Sequence, residues 1–314
     1  MKKICAVFIL ISMIVSLTAC GNSMESNIKT SDNSYSSTSS DTDYTVSTSD
    51  NSTTNYSNST ENSYTPTVST SDTSTDVEQI IANGKLQYPS SNDEYEYNVY
   101  DTYIEITKYI GNDTDVTIPS TIDNLPVLVI GEKAFYQLKN LTSITIPDSV
   151  ISIDNRAFSY CKSLTNIDIG NSVKTIGDST FSSCSSLISV KISDSVTTIG
   201  AMAFEDCTNL TNVTIGNNVT LINYRAFEHC SNLTNISIPN NVIFIDSGAF
   251  YRCENLTNAY IYSTNCSFNE NHSTYSSIGE VYSFESTVTL YGYAGSTTAV
   301  YCTKYGNNFK LIEE

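Results

Sequence analysis

The sequence predicts an α/β solenoid of stacked 23-residue coils, and three observations lead to this prediction. Apolar residues recur in columns spaced 23 apart, and most letters between them are polar and vary freely. Each unit contains an alternating segment followed by a turn residue, as in "LTSITIP" and "LTNVTIG". No insertion interrupts the consecutive phenylalanine-marked units. A period between about 20 and 50 residues is typical of stacked units that bury their apolar edges against their neighbours.

The first element is an N-terminal leader, predicted to span residues 1–19. Two lysines precede an apolar run that is shorter than the ~20 residues of a membrane-spanning helix, which is typical of an export signal. The tetrad L-T-A-C, ending at Cys20, resembles the lipobox of bacterial lipoproteins. That resemblance implies cleavage before Cys20 and a diacylglyceryl group on its sulfur, which attaches the chain to a membrane. An ordinary secretory signal is the alternative.

Residues 20–90 are predicted to form a disordered tether. They are mostly Ser, Thr, Asn, Asp and Tyr in no pattern, as in "SYSSTSSDTDYTVSTSD". Such a segment has too little apolar surface to offset the chain entropy that is lost on folding. We expect the tether to hold the folded part away from the lipid surface.

The remaining elements are the solenoid and the caps that its open ends need. Residues 91–128 alternate with period two in "YEYNVYDTYIEITKYIG" and predict an N-terminal β-hairpin cap. Residues 129–262 hold the repeats, and residues 263–285 break the register, which predicts a degenerate repeat with a loop. Residues 286–314 predict a C-terminal cap of a strand, a helix that begins at Ser296, and a last strand.

Apolar columns define the parts of each coil. The phenylalanine column is Phe135, Phe158, Phe181, Phe204, Phe227 and Phe250. A leucine column runs from Leu141 to Leu256, and the segment L-x-x-I-x-I that it opens has the period-two pattern of a strand with inward isoleucines. The stretch "DNRAFSYCKSL" spaces its apolar letters as one face of a helical turn or two. Each coil is therefore predicted to be strand, turn, short strand and short helix.

The pattern A-F-x-x-C-x-x-L-x-x-I-x-I-P resembles the BspA-like branch of the leucine-rich-repeat family, over roughly Val116 to Ile312. The chain departs from it at Thr180, where the alanine column is polar, and at Ala259, where a strand isoleucine is lost. The resemblance implies a leucine-rich-repeat solenoid and a surface-displayed binding protein, since several members are adhesins for host matrix. The terminal strand–helix–strand segment is also similar to the family's terminal module.

The outward letters of the repeat strands are the candidate binding residues. They predict a flat, mostly neutral surface, rich in amides and hydroxyls, that could bind protein or glycan. The residues that we assign to ligand binding are Asn166, Asp168, Lys191, Asn212, Asn235, Asn258, Tyr260 and Tyr262. The two tyrosines are the expected aromatic anchors. The alternative is that these positions are solvated strand residues without a ligand.

The cysteine column is Cys161, Cys184, Cys207, Cys230 and Cys253, and two further cysteines, Cys266 and Cys302, lie outside it. Leu138 fills the same slot in the first repeat, which favours buried thiols that act as small apolar groups. Disulfide formation by some members and metal binding are less favoured alternatives, because a column of stacked residues does not converge on one point.

No catalytic residue, metal site or cofactor is predicted. The sequence "FEHC" sets His229 between Glu228 and Cys230, which invites an interpretation as base and nucleophile. The equivalent position is Tyr, Ser, Asp or Arg in sister repeats, so a freely varied surface site is favoured. His272 lies in the irregular segment without an evident partner.

The charge balance limits the partners. The net charge is −18, from 33 acidic and 15 basic residues, which disfavours nucleic acid and anionic lipid. The predicted function is a non-enzymatic, adhesin-like protein that is exported, lipid-anchored on the extracellular face of the cell membrane, and bound to a protein or glycan outside the cell. The alternative is a structural protein that organises the cell envelope. An envelope enzyme ranks last, since convergent ionisable groups are missing from the sequence pattern.

Overall fold

The computed structural model describes residues 77–269 and 282–313. The chain divides into two units, Met1–Val68 and Ser69–Glu314, and every described residue belongs to the second. The predicted leader, Cys20, His272 and most of the predicted tether lie outside the described residues.

Secondary structure begins before residue 91, the predicted start of the N-terminal cap. Helix α1 (Val77–Asn83) and strand β1 (Leu86–Ser91) lie in the range that was predicted as tether, so this boundary was wrong. Ile80 and Ile81 pack against a small apolar cluster that consists of Tyr103, Leu128, Val129 and Ile151. These isoleucines supply the apolar surface that the preceding Ser/Thr-rich tract lacks, which is why the fold extends to α1.

The predicted N-terminal hairpin is confirmed. Strands β2 (Tyr95–Tyr100) and β3 (Ile104–Tyr109) pair antiparallel, and β1 pairs antiparallel with β2. The period-two pattern places Tyr95, Tyr97 and Val99 in the core while the residues between them face outward. The hairpin therefore covers one end of the stack, as a cap must.

The range that was predicted as cap also contains the first coil. It holds three further strands, β4 (Asp115–Thr117), β5 (Thr121–Ile122) and β6 (Leu125–Ile130). Strand β4 pairs in parallel with the first repeat strand, with Val116 opposite Ile144. A β5–β6 hairpin lengthens this coil, and its two turn residues, Asp123 and Asn124, have φ values of 52° and 67°. Positive φ at both central residues is the requirement of a type I′ hairpin turn. The longer spacing hid this coil from the 23-residue pattern.

Each later coil contributes one strand to each of two parallel ladders. The first ladder continues from β4 with β7 (Ser143–Thr145), β9 (Asn166–Asp168), β11 (Ser189–Lys191), β13 (Asn212–Thr214), β15 (Asn235–Ile238) and β17 (Asn258–Ile261). Its direct strand pairing is interrupted between β9 and β11 and between β13 and β15, so the ladder consists of three shorter sheets in a row. The second continues from β6 with β8 (Ser152–Ile153), β10 (Thr175–Ile176), β12 (Thr198–Ile199), β14 (Leu221–Ile222), β16 (Phe244–Ile245) and β18 (Ser267–Phe268). Paired residues are 23 apart, as in Ile176 opposite Ile199. The leucine-rich-repeat solenoid that the sequence predicted is thus confirmed.

The predicted short helix in each coil is replaced by a run of tight turns. In the second repeat, Arg156 and Tyr160 have φ values of 58° and 63°, which a right-handed helix does not allow. The amide of Arg156 donates to the carbonyl of Asp178 in the next coil at 2.8 Å, and the amide of Phe158 donates to that of Thr180 at 2.9 Å. A helix would direct these amides to carbonyls of its own coil. The turns therefore form a third ladder of bonds between coils.

The six phenylalanines form a continuous stack through the core. Neighbouring ring centroids lie 4.8–5.3 Å apart, and the rings of Phe158, Phe204 and Phe250 are 0% exposed. Tyr109 of β3 extends the stack at one end, at 5.3 Å from Phe135, and Phe284 extends it at the other, at 4.9 Å from Phe250. Both caps are thus joined to the repeats through the same aromatic column.

Both departures from the repeat pattern are accommodated. Thr180 is 0% exposed, and its hydroxyl donates to the carbonyl of Gly177 at 2.7 Å, which satisfies the buried polar group. Ala259 is also 0% exposed and takes the inward position of its strand. Neither residue interrupts the ladders.

The C-terminal end completes the stack. Strand β18 pairs with β16, and Phe284 occupies the phenylalanine column, so the described parts of the degenerate repeat continue the coil. Strand β19 (Thr289–Gly292), helix α2 (Thr297–Tyr305) and strand β20 (Asn308–Leu311) form the predicted strand–helix–strand cap. The helix ends at Gly306, whose φ of 80° is the left-handed conformation that favours glycine. Strands β19 and β20 extend the first ladder beyond β17.

Candidate binding face

The first ladder presents one polar surface, which we call the strand face: the outward side chains of β4, β7, β9, β11, β13, β15, β17, β19 and β20. Its strands alternate as the sequence predicted, with inward residues such as Val190 and Ile236 buried and their neighbours exposed. Seven of the eight residues that we assigned to ligand binding lie on these strands, namely Asn166, Asp168, Lys191, Asn212, Asn235, Asn258 and Tyr260. Tyr262 follows the end of β17 and is 39% exposed.

The asparagines of the strand face are oriented by the threonines that precede them. The side-chain amide of Asn212 donates to the hydroxyl of Thr211 at 3.2 Å, and Asn258 does the same with Thr257 at 3.0 Å. The Thr257 hydroxyl in turn donates to the carbonyl of Thr234 in the preceding coil at 3.2 Å. These bonds turn the nitrogen of each amide towards its own strand. The carbonyl oxygens of Asn212 and Asn258 are therefore the groups available to accept bonds from a ligand.

An aromatic stack lies at the C-terminal end of the strand face. The ring of Tyr260 stacks on the ring of Tyr291 in β19, with centroids 4.4 Å apart and an interplanar angle of 22°. The ammonium group of Lys310 in β20 lies 5.6 Å from the Tyr291 centroid, within cation–π range. Tyr291 and Lys310 did not figure among the predicted binding residues, because the C-terminal cap lies outside the 23-residue repeat. The alternation in "TLYG" and "NFKL" is the signal that could have found them.

The histidine that invited a catalytic interpretation faces away from the cysteine beside it. The Nδ1 atom of His229 lies 2.7 Å from Oδ1 of Asp206, on the outside of the turns, and the side chain is 36% exposed. The thiol of Cys230 is 0% exposed and donates to the carbonyl of Phe204 at 3.2 Å, inside the core. A base must reach the proton that it removes, so the two groups do not form a nucleophile–base pair.

The cysteine column is a column of free, buried thiols. Each thiol donates to the carbonyl of a phenylalanine in the preceding coil, at 3.0–3.3 Å. Burial raises the pKa of Cys161 to about 12 and that of Cys302 to about 11, so both remain protonated at neutral pH. Cys266 and Cys302 are also free and buried. The thiols fill the slot that the sequence indicated and add a bond between coils.

Residues 77–269 and 282–313 lack a cluster of metal ligands and a membrane-spanning helix. In this part of the chain, His, Cys, Asp and Glu do not gather in a group of three that could hold a metal ion. None of the helices in these residues combines the length and the apolar character that crossing a bilayer requires.

Two carboxyl groups, those of Glu205 and Glu228, lie on the turns of successive coils. Burial raises the pKa of Glu205, and the nearby charges of Glu228 and Asp206 raise it further. The hydroxyl of Ser182 donates to Glu205 at 3.3 Å, and Arg225 pairs with Glu228 at 3.2 Å. The folded protein therefore holds a proton on Glu205 at a pH where the unfolded chain has lost it.

We expect Glu205→Gln to stabilise the protein at pH 7. Since the pKa of Glu205 is raised by folding, the wild-type protein loses stability as pH rises from about 4.3, the unfolded value, through the folded pKa. Glutamine has no charge to bury and still accepts the Ser182 bond. Urea unfolding at pH 4 and pH 7 measures the difference, with the exposed Glu254→Gln as control. Equal stability of wild type and Glu205→Gln at both pH values would contradict the claim that burial of the Glu205 carboxylate costs stability.

The stacked coils and the polar strand face define a solenoid repeat protein with an exposed parallel sheet surface. The family model described as "BspA type Leucine rich repeat region (6 copies)" matches residues 106–230 and 175–300. The chain belongs to this family of BspA-type leucine-rich-repeat proteins.

Solved structures of bacterial leucine-rich-repeat proteins are similar to this chain. The T. pallidum leucine-rich-repeat protein TpLRR is 31% identical, covers 54% of this chain and 91% of its own, and has a TM-score of 0.44. A leucine-rich cell surface protein from Faecalibacterium prausnitzii is 31% identical, with coverage of 57% and 56% and a TM-score of 0.45. A leucine-rich-repeat protein from Bacteroides ovatus is 21% identical, with coverage of 72% and 77% and a TM-score of 0.42. A search of curated proteins found no match.

Proposed function

We propose that this chain is a non-enzymatic, adhesin-like binding protein on the cell surface. A lipid on Cys20 anchors it to the extracellular face of the cell membrane, and the strand face recognises a protein or glycan outside the cell. The observation that carries this proposal is that the inward and outward residues of each repeat strand have different roles. The core and the ladders use the inward side chains and the backbone, whereas the outward residues, such as Asn212 and Lys191, remain exposed.

Two further observations support a place on the cell surface. The lipobox-like tetrad before Cys20 is the pattern of a lipid-anchored exported protein. The similar protein from F. prausnitzii is described as a cell surface protein. The anchor is tested by Cys20→Ser, which should move the protein from the membrane fraction of an expressing bacterium to the soluble fraction. Retention of that variant in the membrane fraction would argue against lipid on Cys20.

Ligand binding is tested with full-length protein and a panel of immobilised extracellular-matrix proteins and glycans. We expect saturable binding to one member, weakened by about tenfold or more by Tyr260→Ala or by the double change Asn235→Ala/Asn258→Ala, since central contacts dominate such interfaces. Asn240→Ala is the matched control, because Asn240 is exposed in a turn of the same coil as β15.

The outcome separates the proposal from its alternative. If the strand-face variants bind the ligand as tightly as wild type and the Asn240→Ala control, the strand face is not the binding surface. A lack of binding to the whole panel, together with retention in isolated envelopes, would favour the structural role of organising the cell envelope.

A further inference from the structure

The part of the strand face from β11 onward differs in charge from the chain as a whole. From β11 to its C-terminal end, the outward positions of the face are Ser189, Lys191, Asn212, Thr214, Asn235, Ser237, Asn258, Tyr260, Thr289, Tyr291, Asn308 and Lys310. They carry two ammonium groups and no carboxylate, although the protein has 33 acidic and 15 basic residues. Asp168, one strand before Lys191, marks the limit of this positive stretch. The stretch is complementary to an anionic ligand.

The two faces of the Tyr260 ring have different neighbours along this stretch. Tyr291 covers the face towards the C terminus. On the other side Tyr260 is in register with Ser237, and the position before that is Thr214. Both side chains are short, so they leave space over two strands between the ring and Lys191. Paired strands are about 4.8 Å apart, so the three steps from Lys191 to Tyr260 span at least about 14 Å, since β13 and β15 are neighbours without direct pairing.

The asparagines beside this space offer carbonyl oxygens as acceptors, and the hydroxyls of Thr214 and Ser237 can donate or accept. The amide of Asn258 is held by Thr257 and by the carbonyl oxygen of Asn235, at 3.0 and 2.9 Å. The carbonyl oxygens of Asn212 and Asn258 point to a ligand that donates hydrogen bonds. A ligand that fits must therefore combine a flat, partly apolar ring, several donors and a negative charge.

We propose, on the basis of the function proposed above, that the strand face between Lys191 and Tyr260 binds an acidic glycan. A sugar ring stacks its C–H face on the face of the Tyr260 ring opposite Tyr291, because the negative face of an aromatic ring attracts the positive edge of such groups. Sugar hydroxyls donate to the asparagine carbonyls, and the carboxylate or sulfate of a neighbouring sugar binds Lys191. Lys310 strengthens the positive potential beyond the tyrosine stack.

A nucleic acid fits this site less well, although its bases also stack on tyrosine. Its phosphates carry one charge on every nucleotide and need many cations in succession, whereas the face offers two, which suits a glycan with an acidic group on only some of its sugars. Phosphate oxygens also lack the donors that the asparagine carbonyls require. An acidic polypeptide supplies charge but lacks a ring rich in hydroxyl groups.

The test measures binding of full-length protein in detergent micelles to five probes. These are the acidic glycans hyaluronan and heparin, neutral dextran, poly-L-glutamate and oligo-dT. We expect saturable binding of at least one acidic glycan, weakened by added salt, and weaker binding of all the other probes by about tenfold or more.

Variants locate the site. We expect Lys191→Gln to weaken glycan binding by about tenfold, because it removes one hydrogen bond to a charged group. Lys162 is also exposed but lies outside the strand face, so Lys162→Gln should leave binding unchanged. Tyr260→Ser should weaken it by a similar factor, and Tyr260→Phe should retain it because the ring remains. Thermal melting followed by circular dichroism checks that each variant is folded. If Tyr260→Ser does not fold, Lys191→Gln still tests the site.

Several results would overturn the proposal. These are equal binding of dextran or poly-L-glutamate, preference for oligo-dT, equal effects of Lys191→Gln and Lys162→Gln, or no binding of either acidic glycan. A neutral matrix protein that binds the strand face through Asn235 and Tyr260 would overturn the acidic-glycan proposal and leave the proposed binding function intact.

Discussion

Phe204→Ala is expected to lower the free energy of unfolding by about 3–5 kcal/mol, the range for removal of a large buried aromatic side chain. Phe204 is 0% exposed and lies in the middle of the stack, 5.3 Å from Phe181 and 5.2 Å from Phe227. Its loss removes the ring contacts on both sides and leaves a cavity between two coils. Since each coil contacts only its neighbours, the change also weakens the coupling between the two halves of the solenoid.

Urea unfolding followed by circular dichroism measures this change. Asn212→Ala is the control, because Asn212 is exposed on the adjacent face strand β13 and its substitution should cost less than about 0.5 kcal/mol. A broader transition, or two transitions, in Phe204→Ala would reveal the weakened coupling. Equal midpoints for the two variants would mean that the inward and outward positions are wrongly assigned.

Cys207→Asp is expected to destabilise the protein by about 3–5 kcal/mol at pH 7, as an uncompensated buried charge does. The thiol of Cys207 is 0% exposed and donates to the carbonyl of Phe181 at 3.3 Å, an oxygen that would repel a carboxylate. Burial would raise the pKa of the introduced carboxyl group above its unfolded value of about 3.9. The variant should therefore lose stability as pH rises above about 4, since the folded state then binds more protons than the unfolded state.

Thermal unfolding of Cys207→Asp between pH 4 and pH 7 measures this slope against wild type. Cys207→Ala is the control: it removes the thiol without adding a charge, so it should cost less and show the wild-type pH dependence. A stable Cys207→Asp with an unchanged pH profile would show that water reaches this column.

The repeat architecture could be predicted from the sequence because its determinants are local and periodic. The phenylalanine and leucine columns recur at one spacing, and strands with inward isoleucines follow from alternation. The hairpin of β2 and β3 and the helix after Ser296 were also recognisable from their own segments.

Features that depend on contacts with the neighbouring coil could not be predicted from residue spacing and alternation. The spacing of Ala157, Phe158 and Cys161 fits a helical turn, but bonds to the next coil and positive φ at Arg156 and Tyr160 produce consecutive turns instead. The first coil escaped notice because its β5–β6 hairpin changes the spacing.

The candidate site was only partly accessible from the sequence. Alternation identified the outward residues of the repeats. The orientation of the asparagine amides depends on hydrogen bonds to the preceding threonines, and the stack of Tyr260 on Tyr291 joins a repeat to the C-terminal cap. The first feature is a side-chain hydrogen bond and the second a contact between strands, and the spacing of apolar residues encodes neither.

The uniform register of the coils has a consequence for the evolution of this protein. The two sides of a coil pair and stack in the same way, through the same strand positions and the same phenylalanine. A 23-residue unit that is duplicated or deleted therefore leaves matching surfaces in contact on both sides. Recombination within the gene can therefore lengthen or shorten the array without inventing a new packing surface. Variation in coil number is a route by which a lineage can adjust the extent of its exposed sheet while the two caps stay unchanged.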